Sequence, residues 1–540
     1  MRKYLALALA SIAALSALPP AAVAVTVPPG VKLAKEQVLH RGNGSEPGSL
    51  DPHRSEGVPA AHILRDLYEG LTTEEVDATI VPGAAERWEI SADGTVYTFH
   101  LRADAKWSNG DPVTAADFVA GLRRSVDPAT GSAYSQILAP IRNADDVIAG
   151  RKPPEGLGVE AVDDHTLVIR LIGPTPYLLG LLNHSAAYPI HRPSIAEHGE
   201  HFSRPGKLVG NGAFKLTEWV VNGHLTVERN EHYWDNENVV LDKVVYYPIE
   251  DQSTDLKRYR AGEIDWTYEI PNSQYRWLKE NLADELHVSP QLSTYYYTFN
   301  VTRPPFKDNP GLRRALSMAV DREILATKVA GVGEVPAYSF VPPGVGDYSP
   351  SHLDYESMPV AERVAEAKRL YREAGYSDDK PLEVELRYNT SENHKKIAIA
   401  VAAMWKQALG VKTRLLNEEW KVFLENRKTR AVTEVVRDGW AGDYNDAYTF
   451  IELMHCDHGL NYSGYCNPEY DKLAEAAAVE KDRATRRAIM EKAEAVMLAD
   501  HPVFPIYYYV VKRLVKPYVG NYQNNIMDHP YSRHHYILAH

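Results

Sequence analysis

Cysteine is nearly missing: the 540 residues hold two, Cys456 and Cys466. That excludes a disulfide-knitted scaffold and a cysteine-rich zinc module, which depend on several thiols. Phenylalanine is sparse beside tyrosine, 10 against 33, with 9 tryptophans. Rings that carry a polar handle dominate, and such rings suit wet recognition surfaces. Basic charge is in deficit, 59 Lys plus Arg against 72 Asp plus Glu, for a net charge of −13. So acidic a surface repels phosphate backbones and anionic headgroups, and nucleic acid is not an expected partner. No apolar run reaches the roughly 20 residues that span a bilayer. What is present is globular composition, 44% hydrophobic and 24% charged, in a chain long enough for more than one lobe around more than one core.

Arg2 and Lys3, the apolar run Leu5 to Leu18, the Pro19-Pro20 break and Ala22-Val23-Ala24 together read as a secretory signal peptide cleaved after Ala24. No Cys stands at the cleavage point, so a lipid-modified N-terminus is unsupported. The mature chain is expected to be soluble in an exported, oxidising compartment. There an even count and close spacing favour a Cys456–Cys466 disulfide. The competing reading takes His455, Cys456 and His458 as metal ligands. His529, His534, His535 and His540 lack helical metal spacing and read as a polar tail.

Helical and strand patterns alternate through most of the chain, the signature of an α/β fold. Val364, Ala367, Tyr371 and Ala374 keep helical spacing before Gly375, and Leu382 to Tyr388 alternates as a strand. Thr390 or Ser391 caps a helix that runs to Gly410, and a strand near Val411 to Leu415 completes a βαβ unit. A helix from Glu419 to about Lys428 leads to a strand at Val432 to Val436, whose end carries Arg437, Gly439, Trp440 and Asp443. Ligands of open α/β sheets sit beyond the carboxyl ends of strands, so this end is the first place to look for a site. Further strands are expected at Tyr97–Leu101, Val244–Ile249, Glu263–Tyr268 and Ser293–Asn300, with a helix at Pro112–Arg123.

Enzyme signatures fail. There is no G-x-S-x-G elbow, H-E-x-x-H helix or P-loop, and His198, Glu200 and His201 form only a loose cluster. A paired-carboxylate hydrolase is the one enzymatic reading that the acidic composition leaves open. The Tyr295–Tyr297 and Tyr507–Tyr509 triplets lie in strand patterns, so each sends phenols to both faces: two rings for the core and one for a cleft wall.

Asn43-Gly44-Ser45-Glu46 with Ser49-Leu50-Asp51-Pro52, Ala105-Lys106-Trp107-Ser108-Asn109-Gly110, Glu228-Arg229-Asn230 with Tyr233-Trp234, Tyr388-Asn389-Thr390-Ser391, Gly439-Trp440 with Asp443-Tyr444, and Tyr507 to Tyr509 with Arg513-Leu514 occur in one order along the mature chain. In that order and spacing the chain resembles the oligopeptide-binding members of the peptide/nickel ABC-transporter solute-binding family. The resemblance implies a two-lobed periplasmic-binding-protein-like α/β fold with an additional third lobe. Lobe I would comprise 25–70, 190–292 and 510–540, the additional lobe 71–189, and the other large lobe 293–509. It implies a short peptide held between the large lobes and delivered to inner-membrane ABC permease subunits by a periplasmic monomer, with no cofactor and no chemistry.

By the same resemblance Asp443 takes the peptide's α-ammonium, a charge-assisted contact of roughly 1.5–3 kcal/mol. Glu56, Val58 and Trp266 to Glu269, including Tyr268 and Glu269, face the peptide backbone. Tyr296, Trp420, Trp440 and Tyr508 line the cleft, and His394, Arg427 and Arg437 stand where a ligand carboxylate can be met. Each of those last three has a plainer reading: a helix cap for His394, a solvated helix residue for Arg427, an internal ion pair for Arg437. Ser293 and Ala441 replace two cysteines of better-known relatives, and Ala330 replaces a lysine. Glu269 replaces an amide, adding negative charge to the cleft and keeping a cell-wall tripeptide with its extra amine as an alternative ligand.

Overall fold

A computed structural model describes residues 27–346 and 348–540. The signal-peptide assignment lies outside the described residues. Three sheets organise the rest. In the first, Val38–Gly42 pairs in parallel with Lys243–Tyr247, followed by His224–Arg229 and Phe214–Val220. The second is antiparallel and joins Ala85–Ile90, Val96–Leu101, Thr166–Arg170 and Val159–Asp163. The third runs in the order Val335–Pro336, Val503–Leu514, Leu286–Phe299, Val435–Ala441, Glu383–Asn389, Lys412–Glu418.

Local chemistry sets most elements as the spacing predicts. The Val360–Glu373 helix ends before Gly375 at φ 89°, a left-handed position that favours glycine. Ser391 accepts the N–H of His394 at the start of Glu392–Leu409, and Gly410 stops that helix at φ 72°. Glu383–Asn389 and Lys412–Glu418 flank it in parallel, which is the expected βαβ unit.

Other elements are decided by tertiary contact. The strand expected at Val432–Val436 runs instead from Val435 to Ala441. Arg303 holds the carbonyls of Ala431 and Thr433 out of the sheet, whereas Arg437 to Ala441 pair with Tyr297 to Ser293. Glu263–Tyr268 forms no strand: Trp266 makes single bridges to Arg41 and Val515, and the Tyr268 N–H donates to Asp255. The histidines of the supposed polar tail are buried, except His540. His529 meets Glu74 at 2.8 Å and His535 packs against Trp266, because the C-terminal segment closes over the first sheet. Cys456 and Cys466 are disulfide bonded, so the metal reading has no thiolate left, and His455 faces Glu475 instead.

Two long strands tie the sheets together. Leu286–Phe299 and Val503–Leu514 pair antiparallel on both sides of a register break between Pro290 and Thr294, where proline has no N–H to donate. On one side of the break, Leu514 joins a small core with Leu256, Tyr259, Ile264 and Ile270. On the other, Tyr295, Tyr297 and Phe299 enter the main core. The lobe limits expected at 292 and 510 therefore fall inside paired strands.

A buried carboxylate anchors the long connection after Val335–Pro336. Glu494 accepts the N–H groups of Phe340, Val341 and Ser351 and the hydroxyl of Tyr348, each at 2.8 Å. Glu494→Ala strips the acceptor from four buried or half-buried donors. A loss of about 3 kcal/mol or more is expected, read as a lower thermal unfolding midpoint, with Glu494→Gln losing less.

Candidate functional site

The Val435–Ala441 strand pairs along its whole length with Leu286–Phe299 but with Glu383–Asn389 only at Val435 and Val436. From Arg437 to Ala441 its second edge has no strand beside it, and these residues line a cavity of about 280 Å³. Facing them is the stretch Ser55 to Pro59, which opens the Val58–Leu67 helix. Gly57 sits there at φ 84°, and a Cβ on it would come within 2.7 Å of the Trp420 ring.

Asp443 stands just past the open edge. Thr449 Oγ1 accepts both the Asp443 N–H and the Trp440 indole N–H at 3.2 Å, fixing the two residues together. Burial pushes the Asp443 carboxyl up to about 7, with Arg65 pulling the other way. Its one close basic neighbour is His184, 3.6 Å away, which burial pushes down to about 3 and so keeps neutral. Among the described residues no Lys or Arg forms an ion pair with Asp443. Its carboxylate lines the cavity.

The other charges are largely matched. Arg427 donates to Asp438 at 2.7 Å and to the Tyr462 hydroxyl at 3.2 Å, and Tyr462 donates to Glu56 at 2.8 Å across the cavity. Arg427 is thus neither solvated nor free. Glu269 meets Lys512 at 3.2 Å and takes an N–H from Gln252, while Lys512 also meets Glu334 at 2.6 Å. The free negative charge expected of Glu269 is engaged inside the protein.

Arg437 differs. Its guanidinium donates to the Tyr509 hydroxyl and to Asn389, and lies 5.0 Å over the Tyr295 ring, with no carboxylate in ion-pair range among the described residues. His394 is beside it, 5.6 Å from the same ring, and burial holds it well below the usual histidine range. Its Nδ1 has no partner. The His394 N–H does meet the capping Ser391, but its ring faces the cavity.

The structure therefore gathers Asp443, Glu56, Val58, Tyr268, Glu269, Tyr296, His394, Trp420, Arg427, Arg437 and Trp440 around one cavity. The exceptions are Trp266, buried against Arg41 and His535, and Tyr508. The Tyr508 hydroxyl bonds Ser339 on the opposite face, and Tyr509 supplies the phenol at the cavity wall. The two-residue strand period divides the triplet that way. Tyr462 and Arg65 were not singled out from the sequence. Tyr462 lies in an irregular loop with no periodic signal, and Arg65 reads as one polar position of an amphipathic helix.

The family model for bacterial extracellular solute-binding proteins, family 5 Middle, matches residues 79–461. The chain belongs to that family. The periplasmic oligopeptide-binding protein OppA of Escherichia coli is 44% identical over 523 residues, 96% of each chain. Haemophilus influenzae OppA, solved in complex with the peptide RPPGFSPFR, superposes with a TM-score of 0.92 at 41% identity, covering 94% of this chain and all of that one. The Escherichia coli murein tripeptide binding protein MppA gives 0.92 at 44% identity, covering 94% of this chain and 100% of that one. The unliganded open form of MppA gives only 0.66, covering 95% and 99%. The lobes of this family 5 chain are thus arranged as in the peptide complex.

An ionisable group whose folded pKa is raised binds protons more tightly folded than unfolded. Asp443 therefore lowers the stability of the ligand-free protein as pH rises from about 4 to about 7. Asp443→Asn should stabilise the protein at pH 8 by at most about 4 kcal/mol, read as a higher unfolding midpoint, and leave it nearly unchanged at pH 4. Thermal unfolding of ligand-free protein at the two pH values checks this.

Proposed function

We propose that this protein captures short peptides in extended form, with the α-ammonium on Asp443, and passes them unaltered to inner-membrane ABC permease subunits. The observation that carries the reading is the conjunction of a strand edge open from Arg437 to Ala441 with an unpaired carboxylate just beyond it. An extended peptide can hydrogen-bond to such an edge as an added strand, which needs no particular side chains. At about 3.3 Å per residue, the four steps from Arg437 to Ala441 cover roughly 13 Å, and the turn carries the chain on to Asp443. A peptide of about four or five residues reaches from one to the other, with its carboxylate near Arg437 and His394.

Val58, Tyr268, Tyr296, Trp420 and Trp440 act as walls, and Glu56 and Glu269 as fixed polar edges. Closing the lobes about the Pro290–Thr294 register break encloses the ligand. The protein acts as a monomer in the periplasm after removal of residues 1–24. Periplasmic relatives support that location, and among the described residues no helix is long and apolar enough to cross a membrane. A cell-wall tripeptide, as bound by MppA, is the second reading, supported by an identity equal to that of OppA. Lys512 weakens it by occupying the Glu269 carboxylate that would meet the extra amine.

Calorimetric titration tests the reading. Asp443→Ala should weaken binding of a free-amino tetrapeptide by about ten- to hundredfold and that of its N-acetyl form far less. Equal losses contradict the role of the carboxylate. Cleavage of the peptide at stoichiometric protein would show an enzyme instead.

A further inference from the structure

The Val58–Leu67 helix buries seven of its ten residues. The other three, Val58, Ala61 and Arg65, all line the cavity. Their spacing puts them on one helical face, so the partial exposure of Arg65 is exposure to the cavity. Arg65 makes no hydrogen bond or ion pair among the described residues. Glu74 feels its charge but is hydrogen bonded to His529 at 2.8 Å and does not line the cavity. His184 and His529 are held neutral by burial. Asp443 also feels the charge of Arg65, and it lines the cavity.

A ligand changes that relation. An ammonium seated on Asp443 takes up its charge and leaves the guanidinium without its counter-charge on that side of the cavity. The ligand's first side chain starts two bonds from that ammonium and so enters the same end of the cavity. An anion there restores neutrality and gives Arg65 its first partner, with the planar fork suited to a carboxylate.

We propose that Arg65 is a specificity-determining residue that receives a carboxylate on the ligand's first side chain, so that peptides beginning with glutamate or aspartate are preferred. The proposal rests on the peptide reading above. Titration of ligand-free protein at pH 7.5 with Glu-Ala-Ala-Ala, Gln-Ala-Ala-Ala and Lys-Ala-Ala-Ala tests it. The glutamate peptide should bind about tenfold tighter than its glutamine isostere, with the lysine peptide weakest. Arg65→Met should bring the glutamate and glutamine peptides within about twofold of each other, and Arg65→Lys should keep part of the gap. Equal affinities in the unaltered protein, or a gap that survives Arg65→Met, overturn the assignment. In that case the peptide reading still stands if N-acetylation weakens the glutamine peptide. If none of the three peptides binds, both fall.

Discussion

The pairing of one strand stops halfway, and the site depends on that interruption. Val435 and Val436 have neighbours on both sides, whereas Arg437 to Ala441 keep only the Leu286–Phe299 strand. A strand edge inside a cavity is costly to leave without partners, because each desolvated backbone N–H or C=O forgoes a hydrogen bond. That cost makes the edge a template. An added strand can pair with such an edge whatever side chains it carries.

The charges around the edge follow a consistent division. Acidic and basic groups that hold the walls together are paired with one another, Arg427 with Asp438 and Lys512 with Glu269 and Glu334, while Glu56 accepts a hydrogen bond from Tyr462. Groups without an ion-pair partner stand at the two ends, Asp443 with Arg65 at one and Arg437 at the other. Asp255 and Glu250 also line the cavity without an ion pair among the described residues. Burial raises the pKa of Asp443.

Closure joins segments remote in the chain. Leu460 and Tyr462 reach the cavity from the loop that the Cys456–Cys466 disulfide ties off, and Gly459 packs on Ala133 of the segment bearing the second sheet. Tyr462 reaches Glu56, and Trp420 lies against Gly57, where a side chain would collide. These contacts, with the better fit to a peptide complex than to an open form, describe a closed arrangement in which both walls touch the space for the guest.

Local patterns were enough to locate the βαβ unit, the helix ends at Gly375 and Gly410, the disulfide and the strand end that carries Asp443, because capping, period and residue type act over a few neighbours. They failed where a distant partner intervenes. Arg303 shifted a strand by three residues, the closing C-terminal segment buried three histidines that read as polar, and Lys512 cancelled the charge of Glu269. Tyr509 rather than Tyr508 faces the cavity because the register with Leu286–Phe299, not the triplet itself, selects the face. Sequence determined which side chains carry charge and which stretches alternate. Only tertiary structure decided which charges are already paired, since pairing is a distance between residues hundreds of positions apart.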